Sequence, residues 1–227
     1  MITPKETFEI LKSWIAISIA IAVLLSGGPA LVLSGRFTDL LLSGGFAELL
    51  SGEFGGRKDQ VIENLMIAGI IVGLGFILHE VAHRVVARSY GIVAEFKAYN
   101  IMLAIALITS FFGFIIAAPA AIVPRGAVSK RQRGIIALAG PATNMMLAII
   151  LAIVARNFPY TEFIGKTSVY GMVLCVWVGV FNMLPISMLD GRAVFYWNKV
   201  VYAISVAIGL AIAATLYILW KPDVVGM

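Results

Sequence analysis

The stretch VIENLMIAGIIVGLGFILHEVAHRVVAR, residues 61–88, is long and apolar enough to cross a bilayer as a helix. Near its C-terminal end it holds both histidines of the chain, His79 and His83, with Glu80 beside the first. On a helix, HExxH puts two imidazoles one turn apart on one face, where both can bind one zinc. The glutamate is then in reach of a water at the metal. The same spacing also arises by chance, in helices whose histidines merely cap or pack. Glu80 bears on that choice, because an ionisable group in an apolar run is costly and usually functional.

Of the 227 residues 61% are hydrophobic and 13% charged, and the mean hydropathy is +0.99. A soluble domain needs a polar skin that this composition does not supply, so the chain reads as an integral membrane protein. The net charge of +5 does not point to nucleic acid. The basic residues gather at the ends of apolar runs, where they face headgroups and fix orientation. Cys175, the single cysteine, lies in an apolar run. It excludes an intrachain disulfide framework and a thiolate zinc site. The N-terminal apolar run is too long for a cleavable signal, and no soluble domain is expected at either end.

Four segments read as ordinary crossings, at about residues 13–33, 61–88, 134–154 and 168–186, with a fifth at about 200–220. Gly27-Gly28-Pro29 breaks the first. Between the first two, the run at 37–42 before Ser43-Gly44-Gly45 suggests an interfacial or partly embedded segment. Residues 92–99 alternate like a short strand. Residues 101–123 are apolar enough to cross, but Ser110-Phe111-Phe112-Gly113 and Pro119 interrupt them.

A hydrolytic zinc keeps three protein ligands and one open position. With no third histidine and an isolated cysteine, the third ligand here must be a carboxylate. Of the twelve acidic residues, Asp190 stands out, after the helix-breaking Pro185 and before Gly191, which lets the chain turn. The plain alternative is an Asp-Gly turn at a membrane surface.

If Asp190 and HExxH share one zinc, the exits of their helices lie on one side of the membrane. An even number of crossings must separate them. The helices at 134–154 and 168–186 supply two, so residues 101–123 are expected to dip in and return. The charges agree. With a re-entrant segment, eleven Lys and Arg fall on the N-terminal side and six on the other; a full crossing gives eight against nine. The expectation is a multi-pass protein of the cell membrane with its N-terminus and catalytic end in the cytoplasm. Irregular backbone at membrane depth must be buried or line a wet cavity, so the dip should flank the active site.

Together these residues resemble the site-2 protease family of intramembrane zinc metalloproteases. Phe76 to His83, continuing to Ala87 and Gly91, looks like its HExxH helix. Asn182 to Gly191 resembles its N-x-x-P…L-D-G motif, and Gly140-Pro141-Ala142-Thr143-Asn144 its G-P-x-x-N element. The three motifs stand in the family's order over about half the chain. Where many relatives continue D-G-G, this chain has Arg192.

The resemblance implies an all-α polytopic membrane protein of about five to six transmembrane helices. It also implies a small membrane-associated β or re-entrant element between the HExxH helix and the next core helix. The chain is then one metalloprotease domain over 1–227, with its core at about 61–192 and no PDZ-like or paired nucleotide-sensing (CBS) domain. His79, His83 and Asp190 would bind one zinc, Glu80 would be the catalytic base, and Asn144 would line the site as an oxyanion donor or serve helix packing. The expected substrate is the transmembrane segment of another protein, and the partners are that segment and the lipid bilayer. The main rival is a metal-ion transporter passing its cargo along the same histidines and acid. Arg84 and Arg88 are expected to snorkel to the membrane surface, and the basic run 125–133 to anchor topology and contact anionic lipid.

Overall fold

The computed structural model describes residues 3–26, 58–115, 120–124, 126–186 and 189–219. The Gly27-Gly28-Pro29 break and the run at 37–42 lie outside the described residues. The chain runs α1 (Pro4–Leu25), α2 (Lys58–Val72), a π turn (Gly73–Ile77), α3 (Leu78–Ser89), β1 (Ala94–Ala98) and α4 (Asn100–Ser110). It continues through β2 (Ala120–Pro124), α5 (Lys130–Asn157), α6 (Phe163–Asn182), α7 (Asp190–Trp197) and α8 (Lys199–Leu219). Among the described residues five helices are long and apolar enough to cross a membrane: Pro4–Leu25, Gln60–Ser89, Lys130–Asn157, Phe163–Asn182 and Lys199–Leu219. This is an all-α membrane architecture. α1 begins well before residue 13, because Thr3 caps its first turn, accepting from the Glu6 N–H at 3.2 Å, and Pro4 suits the first helical position.

Among the described residues of the 101–123 stretch no helix is long enough to cross. α4 has 11 residues, about 16 Å of helix, against a hydrocarbon core about 30 Å thick. Turns at residues 111–113 follow it, with Gly113 at φ 90°, and β2 starts at Ala120. β1 and β2 form a two-stranded sheet.

The chain divides into two compact units, Met1–Val72 with Lys97–Ala121, and Gly73–Phe96 with Ile122–Met227. In the first, α1 packs on α2 and α4. Ile17, Ala20, Ile21 and Val23 are buried on α1, as are Ile67, Ala68, Ile71 and Val72 on α2. Lipid is as apolar as these side chains, so close packing and interhelical hydrogen bonds hold such helices together. The Trp14 indole donates to the Gly69 carbonyl at 2.9 Å, and the Asn64 amide donates to the Ser26 hydroxyl at 3.0 Å. Bonds of this kind contribute about 0.6–2 kcal/mol each in membranes.

The second unit is built on the hairpin of α5 and α6. A capping box starts α5: Ser129 accepts from the Gln132 N–H, and the Gln132 side chain accepts from the Ser129 N–H. Small residues then let helices meet. A Cβ on Gly179 would collide with Met145, and one on Gly134 would stand 2.5 Å from the Trp197 ring. Ala148, Leu151 and Ala152 of α5 pack with Met172 and Cys175 of α6 and Leu216 of α8.

The π turn brings the HExxH helix against this hairpin. Its Gly75 sits so close to α6 that a Cβ would lie 3.1 Å from Leu174 and 3.5 Å from Cys175 Sγ. Phe76 meets Phe96 of β1 edge-on, centroids 6.3 Å apart. Further along, Ala87, Ile92, Ala94 and Ile136 form one cluster. β1 thus meets the π turn through Phe96 and the end of α3 through Ala94. Gly91, at φ 70°, makes the corner between α3 and β1, a conformation that a side chain would strain.

Candidate metal centre

α3 buries His79, Glu80, His83, Arg84 and Ala87, the positions 0, 1, 4, 5 and 8 of one helical face, and turns Val81 and Val85 outward. Arg84 is 9% exposed. It does not snorkel to the surface, because it stands one turn beyond Glu80 on the covered face. Glu80 is buried, and its carboxylate lies close enough to act electrostatically on the His83 ring.

Asp190 is brought to His79 from 111 residues away, and to His83 with it. After α6 the chain turns at Met183 and Leu184 and enters α7 at Asp190. Gly191 is pressed onto the Met183 carbonyl, where a Cβ has no room. Asp190 Oδ2 lies 3.1 Å from His79 Nε2 and 3.2 Å from His83 Nε2, and the two Nε2 atoms are 3.1 Å apart. His79 and His83 are buried, and the Asp190 side chain is 20% exposed. Burial alone would raise the Asp190 carboxyl. The two imidazoles facing the carboxylate outweigh it and hold the group below the ordinary carboxylate range.

These donors fit one zinc. Ligands about 2.0 Å from a tetrahedral ion stand about 3.3 Å from one another, close to the separations found here. His83 Nδ1 donates to the Ile136 carbonyl at 2.7 Å, which leaves Nε2 as the bare nitrogen facing the other two ligands. α5 keeps the space open. Gly140 stands where a Cβ would come 2.5 Å from His83 Nε2 and 2.6 Å from His79 Nε2. Among the described residues His79, His83 and Asp190 form a group able to hold a metal ion.

One turn beyond Gly140, Asn144 is fully buried, and neither atom of its amide has a hydrogen-bond partner. A Cβ on Gly179 of α6 would touch Asn144 Cβ at 3.3 Å, so the residue lies at the α5–α6 contact. The HExxH spacing and the Asp-Gly turn pointed to the three ligands. Gly140 was noticed only as part of a motif, since its role is a close approach that spacing does not encode.

No family model and no solved structure matches the chain. A protein of Methanocaldococcus jannaschii described as a candidate zinc metalloprotease is 38% identical over 141 residues, which is 61% of this chain and 74% of that protein.

Proposed function

We propose, from the premise that the chain belongs to the family of this metalloprotease candidate, that it is an intramembrane zinc endopeptidase of the site-2 type. It would hydrolyse a peptide bond in or near the transmembrane segment of another membrane protein. The observation that carries the reading is the meeting of His79, His83 and Asp190 at one point, with Glu80 next to the first ligand on a helix apolar enough to cross a membrane.

His79, His83 and Asp190 would hold the zinc, which would supply a Lewis acid and a lowered pKa for water at the site. Glu80 takes the proton from the attacking water and returns it to the leaving amine. The Asn144 amide, buried without a partner, is the candidate donor to the oxyanion; helix packing is its other role. A helical substrate conceals its carbonyls in intrahelical bonds and must unwind first. β1 would offer an edge on which the unwound segment regains backbone hydrogen bonds. α4 is too short to span, and an even number of crossings then separates α3 from α7. The N-terminus and the metal end then face the cytoplasm.

Zinc per chain and cleavage of a single-span test protein in proteoliposomes check the reading together. His79→Ala and Asp190→Ala lose the metal. Glu80→Gln keeps it and loses cleavage by at least about a hundredfold, as expected for a general base. A Glu80→Gln variant that still cleaves, or that carries zinc across the membrane as wild type does, would sink the protease assignment in favour of transport.

A further inference from the structure

We propose that the π turn, Gly73–Ile77, takes up one surplus residue in its helix and so sets the register of the metal ligands. The idea rests on the three-ligand site and not on cleavage, so its test stands apart from the fate of the proteolytic reading.

The covered positions along the helix carry the inference. In α2 they are Val61, Asn64, Ile67, Ala68, Ile71 and Val72, the spacing of one α-helical face. At 3.6 residues per turn, that face continues through Gly75, Ala82 and Val86, with Leu78 and His79 on either side of it. Beyond the turn the covered positions are instead His79, Glu80, His83, Arg84 and Ala87. Leu78 is 37% exposed, and Ala82 and Val86 are only half-buried. The covered stripe has moved on by one residue, roughly 100° of helix rotation. A π turn closes i→i+5 bonds where an α turn closes i→i+4, so it holds one residue more. That is the size of the step.

Each flank has contacts of its own that fix its rotation. In α2 the Gly69 carbonyl accepts from the Trp14 indole at 2.9 Å, and the Asn64 amide donates to the Ser26 hydroxyl at 3.0 Å. After the turn begins, Gly75 is close against Leu174 and Cys175 of α6, and His83 Nδ1 donates to the Ile136 carbonyl of α5 at 2.7 Å. With both flanks held, the surplus residue is absorbed between them. Were the same residues wound as plain α-helix, α3 would turn by one position and bring Leu78 and Ala82 to Gly140 in place of His79 and His83. Neither of those side chains can bind a metal, so the π turn determines whether the ligands meet.

Deletions test this through zinc affinity, read by chelator titration of the detergent-purified chain. Deleting Gly73 removes the surplus residue. The turn is then expected to close as α-helix with the ligands still in register, and the variant to hold zinc within about tenfold of wild type. Deleting Gly73 and Leu74 together takes one residue too many. It should rotate His79 and His83 off the α5 face and lose more than about a hundredfold in zinc affinity. Loss of zinc, or of the folded chain, on the single deletion would overturn the proposal, because the helix would then have no residue to spare. Zinc kept by both variants would overturn it as well, since the register of the helix would not govern the site.

Discussion

α6 and α8 are long apolar helices of the same unit, and the more apolar of the two is the less buried. In α8 11% of the apolar window is buried, in α6 44%. The difference goes with glycine rather than with small side chains as a class, since α8 holds five alanines. α6 has three glycines, Gly165, Gly171 and Gly179, all buried along with Thr167, Ser168, Val169, Met172 and Cys175, whereas α8 has one and buries only Gly209 and Leu216. Water drives greasy helices together in a soluble protein; in lipid that drive is absent, and contact follows from how closely backbones approach. Hydropathy therefore identifies what can cross the membrane, and in this pair glycine identifies the helix that packs most closely.

Substitutions at three glycines test that contrast. The largest effect is expected at Gly140, where the small residue faces the metal ligands. Gly140→Val should lower zinc affinity by more than about a hundredfold, the upper range for groups that support a metal site, as read by titration with a chelator. Wild-type zinc affinity in this variant would mean that α5 does not approach the histidines as described. Gly179→Val comes next. It drives a branched side chain into Met145 and should destabilise the chain by about 1–3 kcal/mol, measured by unfolding in mixed micelles. The smallest effect belongs to Gly209→Ala on α8, whose new Cβ meets Val180 and Met145 only at 3.8 and 3.9 Å. It should be neutral, or stabilising by up to about 1 kcal/mol through helix propensity. A loss as large as that at Gly179 would place α8 among the tightly packed helices and end the comparison.

The metal site was more legible than the backbone that carries it. His79, Glu80 and His83 announce themselves because spacing on a helix is geometry. Asp190 could be reached by elimination and by the turn-forming residues on either side. Hydropathy gave five apolar runs but not their ends: α1 starts at Pro4 because a cap and charged residues are invisible to a scale that sums greasiness. The π turn has no signature in the sequence beyond Gly73 and Gly75. Gly75 does approach α6, but a change from one hydrogen-bond spacing to another is settled by packing. Arg84 was misread for a similar reason. A charge near a helix end resembles an anchor until the covered face is known.

Cys175 has a practical consequence. The chain's one thiol is sealed at the α5–α6 contact, 3.5 Å from where a Cβ on Gly75 of the π turn would stand. Mild alkylation of the folded protein should leave it silent, so the native chain already serves as a blank for site-directed spin or fluorophore labelling. A cysteine introduced on the lipid face of α8 would carry the only reactive label, and the appearance of a second would time the opening of the helical core.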